Sequence, residues 1–519
     1  MTTIFTLSVM SEIDWIVVAG YAFVVVLLAT RFRGDTTDEN YYLAGHSIPA
    51  WASGMSFLAT GFSATWFIGS PQWTFNGDFR PLMLFSGGIV AAVVVAIVLL
   101  PIHYRVGTIT VYGYIEQRFG VLGRRWVGAW FSLGALIGGG AALYVASIAL
   151  SSLFFNPQNP ATSNQLILII IGIGLFGTLY TSIGGLCGVI WTDVLQLLVI
   201  MGSGLFCVVL LMSAIPLSIP EMINYLRHAP STPIAPLLEG ENINKLRLVD
   251  WHWQWADPMT VWAGLIGMTL FNITGFGASQ VMGQRLLACR SARDAGAAVI
   301  GGYLLAIVIV AMFMFIGLLL FMYSDPRVMG DAAGQFSSSD RAFSEFIVNH
   351  LPKGVSGLAV AGILAAVMSS LDSGVSAISS SITGDLGLAG RESQTQNGTR
   401  HAARLVTLIV GVCLTTIAVL IAAIHNPGND ALLDFVLSLS SFTGAGILGV
   451  FAAGLLTRRG NAHSVGLALL SGAATVFCLQ PIITQPMFGV VIAWPWWVGI
   501  GSIPAFAVCI VPVGRSSMF

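Results

Sequence analysis

The chain has 519 residues, of which 56% are hydrophobic and only 9% charged, a balance that excludes a soluble domain of this size and points to one solvated largely by lipid. Its net charge of −1 draws it toward neither nucleic acid nor an acidic partner. No nucleic-acid motif, paired His/Cys cluster or nucleophile elbow is present, so an enzyme is not expected.

Thirteen apolar segments follow one another at about 15–30, 51–75, 82–103, 126–155, 165–180, 186–211, 259–282, 297–323, 357–386, 405–424, 432–456, 465–479 and 490–513. Most have the length a helix needs to cross a hydrocarbon layer roughly 30 Å thick. Residues 1–14 carry Glu12 and Asp14 and no positive region, so no signal peptide is expected. With the N-terminus outside, the inner loops hold fifteen Lys and Arg residues and the outer loops seven. The positive-inside rule then predicts an integral multi-pass plasma-membrane protein with its N-terminus outside and its C-terminus cytoplasmic. Arg285 counts here as an inner-loop cation and Lys245 as an outer-loop one. With no Lys or Arg expected inside a segment, an arginine-ladder voltage sensor is not expected. The inner stretch 106–125 is amphipathic, and the long outer loop 212–258 ends in Trp251, Trp253 and Trp255, suited to the membrane interface. Five of the six cysteines lie in apolar segments and read as packing residues.

Segments two and seven echo each other. Thr60-Gly61-Phe62-Ser63-Ala64-Thr65 and Thr274-Gly275-Phe276-Gly277-Ala278-Ser279 share four of six positions, and Gly69 and Gly283 match further along. Glycine and hydroxyl residues at mid-membrane weaken a helix and free its carbonyls. Paired broken helices in two inverted halves point to the binding site of a secondary transporter.

Segment nine, within 361–388, is apolar yet carries Ser369, Ser370, Asp372, Ser373, Ser376, Ser379 and Ser380. Helical spacing puts Ser369, Asp372, Ser373, Ser376 and Ser380 on one face. A carboxylate and hydroxyls in a bilayer segment point to an ion path, and oxygen ligands suit a hard cation such as sodium. The competing reading is helix packing through small hydroxyl residues.

Four motifs, in order, resemble the sodium/solute symporter family, which includes the sodium–glucose transporters. Asn40-Tyr41-Tyr42-Leu43-Ala44-Gly45 resembles its inner-loop YFLAGR motif, with His46 in place of the usual basic residue. Gly184-Gly185-Leu186, followed by Val189-Ile190-Trp191-Thr192-Asp193-Val194-Leu195-Gln196, resembles its signature. Gln284-Arg285-Leu286-Leu287-Ala288-Cys289-Arg290-Ser291 resembles its QRYLAAKS loop, and Ser369-Ser370-Leu371-Asp372-Ser373 falls at its serine-rich sodium helix. The resemblance implies an all-α polytopic membrane protein with a LeuT-like fold, in which about 13 transmembrane helices form a single transporter domain over 1–519. Its inverted repeats of five plus five helices would occupy about 51–211 and 259–456, with 15–30, 465–479 and 490–513 as extra helices.

The implied activity is sodium-coupled symport, importing a small organic solute by alternating access, with Na+ as the coupling ion and membrane lipid as surroundings. No obligate protein partner is evident. The main sodium site carried over by the resemblance joins the carbonyls of Ala59, Phe62 and Ala366 to the hydroxyls of Ser369 and Ser370. Asp193, Asp372 and Ser373 would form a second sodium site, or else Asp193 would be an exit carboxylate and Asp372 a vestibule charge. Expected solute-lining residues are Thr60, Ser63, Thr65, Trp66, Gln72, Asn272, Thr274, Ser279, Gln280 and Ser441, with Ser440 and Thr443 beside the last. Ser70-Pro71 and the run Leu100-Pro101-Ile102-His103-Tyr104 resemble the monocarboxylate, iodide and vitamin branch more than the sugar branch. With no embedded Arg or Lys expected, a solute carboxylate would have to meet helix N-termini at the breaks. The alternatives are a solute- or ion-conducting channel, against which stand the paired breaks, or a transporter-like solute sensor, for which 514–519 leaves no signalling domain.

Overall fold

The computed structural model describes residues 10–32, 38–155, 161–230, 243–387, 396–424 and 439–512. The described residues are helical throughout apart from loops and two isolated bridges. Among the described residues seven helices are each long and apolar enough to cross a membrane, and counting each of two bent helix pairs as one span raises the number to nine.

Two helices are too long to be single spans. Ser163–Ala214 runs for 52 residues, about 78 Å if straight, more than twice the hydrocarbon thickness. It breaks at Gly185, whose φ is 58° and ψ −164°, at the expected loop between segments five and six. A Cβ there would lie 2.9 Å from the Tyr41 carbonyl oxygen, so both the backbone angle and the neighbour demand glycine. Gly113–Phe154 likewise breaks at Gly120, with φ 83°, separating the amphipathic inner piece from the span. The last segment, expected over 490–513, is helical only over Trp497–Cys509, because Pro495 sits in a tight turn at its head. Most of the N-terminal part of segment eleven, 432–438, lies outside the described residues.

Both predicted breaks occur, at different depths in the echo. Ala50–Gly61 and Ala64–Asn76 are separated by Phe62 and Ser63, whose ψ of 82° and 170° carry the chain out of helix. In the second copy the positions matching Phe62 and Ser63 stay coiled in a wide π turn, Thr274–Ala278. The break falls two residues later, at Ser279, where Ala263–Ala278 meets Gln280–Leu287 at 55°. His103, at the end of segment three, bonds through Nε2 to the freed Gly277 carbonyl at 2.8 Å.

The serine-rich helix Val355–Gly384 is the axle. Its apolar window is 78% buried, against 28% for the first helix, Glu12–Arg31. Asp14 ties the two together at the N-terminal end of the axle, accepting from the Gly354 and Gly357 N–H groups at 2.7 and 2.8 Å. At its C-terminal end Asp385 accepts from Arg124 at 2.6 Å and Ser381 at 2.7 Å.

Three of the sequence motifs are one another's partners. Gln284 donates to the Tyr42 carbonyl at 2.8 Å, His46 Nδ1 lies 2.6 Å from the Leu287 carbonyl, and the Ile48 N–H donates to Ala288. Tyr41 donates to the Ser182 carbonyl beside Gly184-Gly185 at 3.1 Å. The YYLAGH stretch thus clamps the C-terminal end of Gln280–Leu287 to the glycine break of the fifth span.

Lys245, expected in a solvated outer loop, is fully buried. Its ammonium donates to the Thr74, Phe75 and Gly77 carbonyls at 3.1, 2.8 and 3.0 Å and lies 3.8 Å from the Phe321 ring centroid. It therefore caps the negative end of Ala64–Asn76. Burial draws its amine down to about 7, while three acceptors at hydrogen-bond distance call for the three hydrogens of the charged form. Lys245→Met keeps the stem and removes the donors, and is expected to lower stability by about 2–3 kcal/mol. Thermal unfolding of the purified protein measures this; an unchanged midpoint would contradict the capping role.

Candidate sodium and solute sites

Where Ala50–Gly61 ends, its last carbonyls lose their helical partners and turn toward Val355–Gly384. Ser369 donates to the Ala59 carbonyl at 2.8 Å and to Ala366 at 3.2 Å. Ser370 donates to Thr60 at 3.2 Å and to Ala366 at 3.3 Å. Ala59, Ala366 and the two serines are thereby brought together, and the Thr60 carbonyl joins them. Phe62 sits at the break, its N–H donating to Leu58 at 2.9 Å, and neither serine bonds to it. The cluster is an oxygen-rich point at mid-membrane with no charge of its own, the donor chemistry that replaces the water shell of a hard monovalent cation.

One turn further along Val355–Gly384 lies a second, charged cluster. Arg285, in Gln280–Leu287, is fully buried. This corrects its placement in a solvated inner loop, and with it the expectation that no Lys or Arg is embedded. The bent helix continues five residues past the expected end at 282 and carries Arg285 inward with it. Its guanidinium donates to Ser56 at 2.9 Å and to the Val281 carbonyl at 2.7 Å, pairs with Asp193 at 3.4 Å and contacts Ser373. Asp193 also accepts from Ser56 at 2.5 Å through the same oxygen, leaving Oδ1 without a hydrogen-bond partner. Asp372 accepts from Tyr180 at 2.6 Å and from Ser373 at 3.2 Å. Thr60 and Ser373 lie 2.9 Å apart and join the two clusters. Asp193, Asp372 and Ser373 are thus neighbours, with Arg285 standing between Asp193 and Ser373. Ser56, Tyr180 and Arg285 escaped sequence reasoning; only the place of Arg285 inside a motif signalled it.

The serine stripe packs against the inner half of the broken seventh segment. Ser376 donates to Gln284 at 3.3 Å, and Ser380 accepts from Gln280 at 3.0 Å.

Two cavities flank the breaks. One, of about 440 Å³, opens onto Thr60, Thr274, Ser279, Ser370, Ser440 and Thr443, with Phe131 and the glycines Gly138, Gly275 and Gly374. The other, of about 330 Å³, is walled by Phe57, Trp66, Phe85, Phe271, Phe276 and Trp494, with Asn272 as its amide. Ser63 and Thr65 line a smaller recess of about 50 Å³ that also borders Ser370. Of the expected lining residues, Thr60, Thr274 and Ser279 meet the first cavity, Trp66 and Asn272 the second, and Ser63 and Thr65 the recess. Gln72, Gln280 and Ser441 line none of the three. Gln280 is instead a fully buried strut, accepting from Val111 N–H at 3.0 Å and donating to Ile109 and Ser380. Ser441 is buried while its neighbours Ser440 and Thr443 take the cavity wall.

The family model for the sodium:solute symporter family matches residues 41–472. A sodium/sialic acid symporter of Proteus mirabilis is 26% identical over 473 residues, covering 90% of this chain and 89% of that protein. The sodium/glucose cotransporter of Vibrio parahaemolyticus is 26% identical, covering 87% of this chain and 82% of that protein. The human sodium/iodide cotransporter is 24% identical, covering 88% and 68%. The solved substrate-bound, outward-open structure of a Na+-coupled sialic acid symporter superposes with a TM-score of 0.80 at 24% identity, covering 96% of this chain and 97% of that one. The fold is the LeuT-like one.

Proposed function

We propose that this chain, which belongs to the sodium:solute symporter family, imports a small organic solute across the plasma membrane by alternating access, driven by sodium. The observation that carries the reading is the meeting of Ser369 and Ser370 with the Ala59, Thr60 and Ala366 carbonyls at the broken helix. The main sodium site is read there, with Ala59, Phe62, Ala366, Ser369 and Ser370 as ligands. An ion bound between a broken helix and the axle couples to any motion that changes the gap between them.

The charged cluster bears on stoichiometry. A second sodium at Asp193, Asp372 and Ser373 has to share these oxygens with Arg285, which already neutralises Asp193. With Arg285 in place, the reading is one sodium per cycle. One charge crossing 100 mV supplies about 2.3 kcal/mol and a tenfold sodium gradient about 1.4 kcal/mol, enough to concentrate an uncharged solute about 500-fold.

The N-terminus is read as outside and the C-terminus as cytoplasmic, from the excess of Lys and Arg on the inner loops, which survives moving Arg285 and Lys245 out of the count. The relatives' names span sialic acid, glucose and iodide, so membership alone leaves the solute open. The test is uptake into proteoliposomes from a panel of labelled sugars, sugar acids, monocarboxylates and vitamins. Saturable accumulation under an inward sodium gradient is expected. Equal accumulation with potassium in place of sodium would end the reading.

A further inference from the structure

The hydroxyl-lined and aromatic cavities beside the breaks are not separate. Phe271, Gly275 and Met282 line both, and a Cβ on Gly275 would meet nothing within 4 Å, so the junction is open rather than filled. We propose that the cavities are two lobes of one solute pocket, and that the solute is uncharged. Its hydrogen-bond donors face the hydroxyl lobe, and a flat aromatic or branched hydrocarbon part sits in the aromatic lobe. The proposal rests on the symport reading above and names the class of solute at that site.

Three observations converge on this class. First, no Asp, Glu, Lys, Arg or His lines either lobe among the described residues. Residues 425–438, which precede Ser440 in the chain and are not described, contain neither Lys nor Arg, and their titratable residues are His425, Asp430 and Asp434. The two fully buried cations are committed elsewhere, Arg285 to Asp193, Ser56 and Ser373, and Lys245 to three carbonyls. An anionic solute would then enter a pocket whose described lining offers no side-chain cation to pair with it.

Second, several of the polar groups present themselves as acceptors. The hydroxyl hydrogen of Thr60 goes to the Ser56 carbonyl, that of Thr274 to Leu270 and that of Ser370 to Thr60 or Ala366. The amide nitrogen of Asn272 donates to Met268. What remains on the three hydroxyls is lone pairs, which match solute O–H and N–H groups and offer little to a carboxylate, while Asn272 keeps its amide oxygen and one N–H. Third, the aromatic lobe is a cage of rings: Trp66 packs edge-on to Phe85 at 5.3 Å, and Phe271 edge-on to Trp494 at 5.8 Å. Such walls suit a ring or branched chain and leave a bare polyol partly unsatisfied.

The test uses the purified full-length protein and thermal unfolding in sodium or in potassium chloride. The probes are 3-phenylpropionamide, its anionic counterpart 3-phenylpropionate, phenyl β-D-glucopyranoside, D-glucose and N-acetylneuraminate. Sodium-dependent stabilisation is expected from the two uncharged aromatic probes, with the amide binding at least about tenfold more tightly than the matched acid. Gly275→Leu fills the junction and is expected to abolish the probes' effect while keeping the stabilisation by sodium itself. Tighter sodium-dependent binding of either anion, binding of glucose equal to that of its phenyl glycoside, no binding by any uncharged aromatic probe, or full probe binding in Gly275→Leu would each overturn the proposal. Stabilisation by sodium alone separates the two levels. If sodium stabilises and the probes do not, only the solute class fails; if sodium itself has no effect, the symport reading fails with it.

Discussion

Sodium-driven uptake is expected to disappear when Ser369 and Ser370 are both changed to alanine. The two hydroxyls supply two of the five oxygens assigned to the ion, and each already lies within 3.3 Å of carbonyls freed by the break in the second segment or contributed by Ala366. A sodium ion surrenders its water shell only where protein oxygens replace it. At about 1.5–3 kcal/mol for each lost charge-assisted contact, the double substitution is expected to weaken sodium binding by about 10²- to 10⁴-fold. Each serine is small and the substitution opens no appreciable cavity, so folding should survive, and thermal unfolding in sodium-free buffer checks that it does. The measurement is the sodium concentration for half-maximal uptake. An unchanged value in a folded double variant would move the ion elsewhere. The single variants should fall between, with Ser369→Ala the more severe because its bond to Ala59 is the shorter.

The second large effect concerns Arg285. Had it been a solvated inner-loop residue, as its sequence position first implies, Arg285→Met would shift stability by less than about 0.5 kcal/mol. Buried against Asp193, its loss leaves a carboxylate in the interior with one serine for company, and is expected to cost about 3–5 kcal/mol. The companion variant Asp193→Asn/Arg285→Met removes both charges and should recover most of that loss, because the penalty comes from the unpaired charge rather than from missing packing. Arg285→Lys is expected to be intermediate at best: an ammonium cannot hold Ser56, Asp193 and Ser373 in the plane of one fork. Thermal unfolding of the four proteins under one set of conditions reads this out. Equal destabilisation in the single and double variants would show that the pair is not the source.

Much of the fold was legible. Long apolar runs need only local hydropathy, and the helices lie along most of the expected segments because a span must satisfy its backbone within itself. The echo around Thr60 and Thr274 announced two breaks. It did not place them: the first copy opens at Phe62–Ser63, while the second tightens into a π turn and opens at Ser279. The cause is neighbourhood, since His103 from another helix takes the Gly277 carbonyl. The same shift explains why Gln280, expected to face the solute, braces Ile109, Val111 and Ser380 instead.

The sequence by itself determined the membrane class, the order of the helices, the family motifs and the pair Ser369–Ser370, all properties of neighbouring residues or of fixed helical spacing. Only the tertiary structure decided which charges are interior. Arg285 and Lys245 look alike on the page, two loop cations counted on opposite faces. Each is buried because a distant partner meets it: Asp193 and Ser373 for the arginine, the carbonyls of 74–77 for the lysine. A charge stays inside a protein only where such partners repay the water it gives up, and those partners, 92 and roughly 170 residues away along the chain, are set by packing that no local window contains.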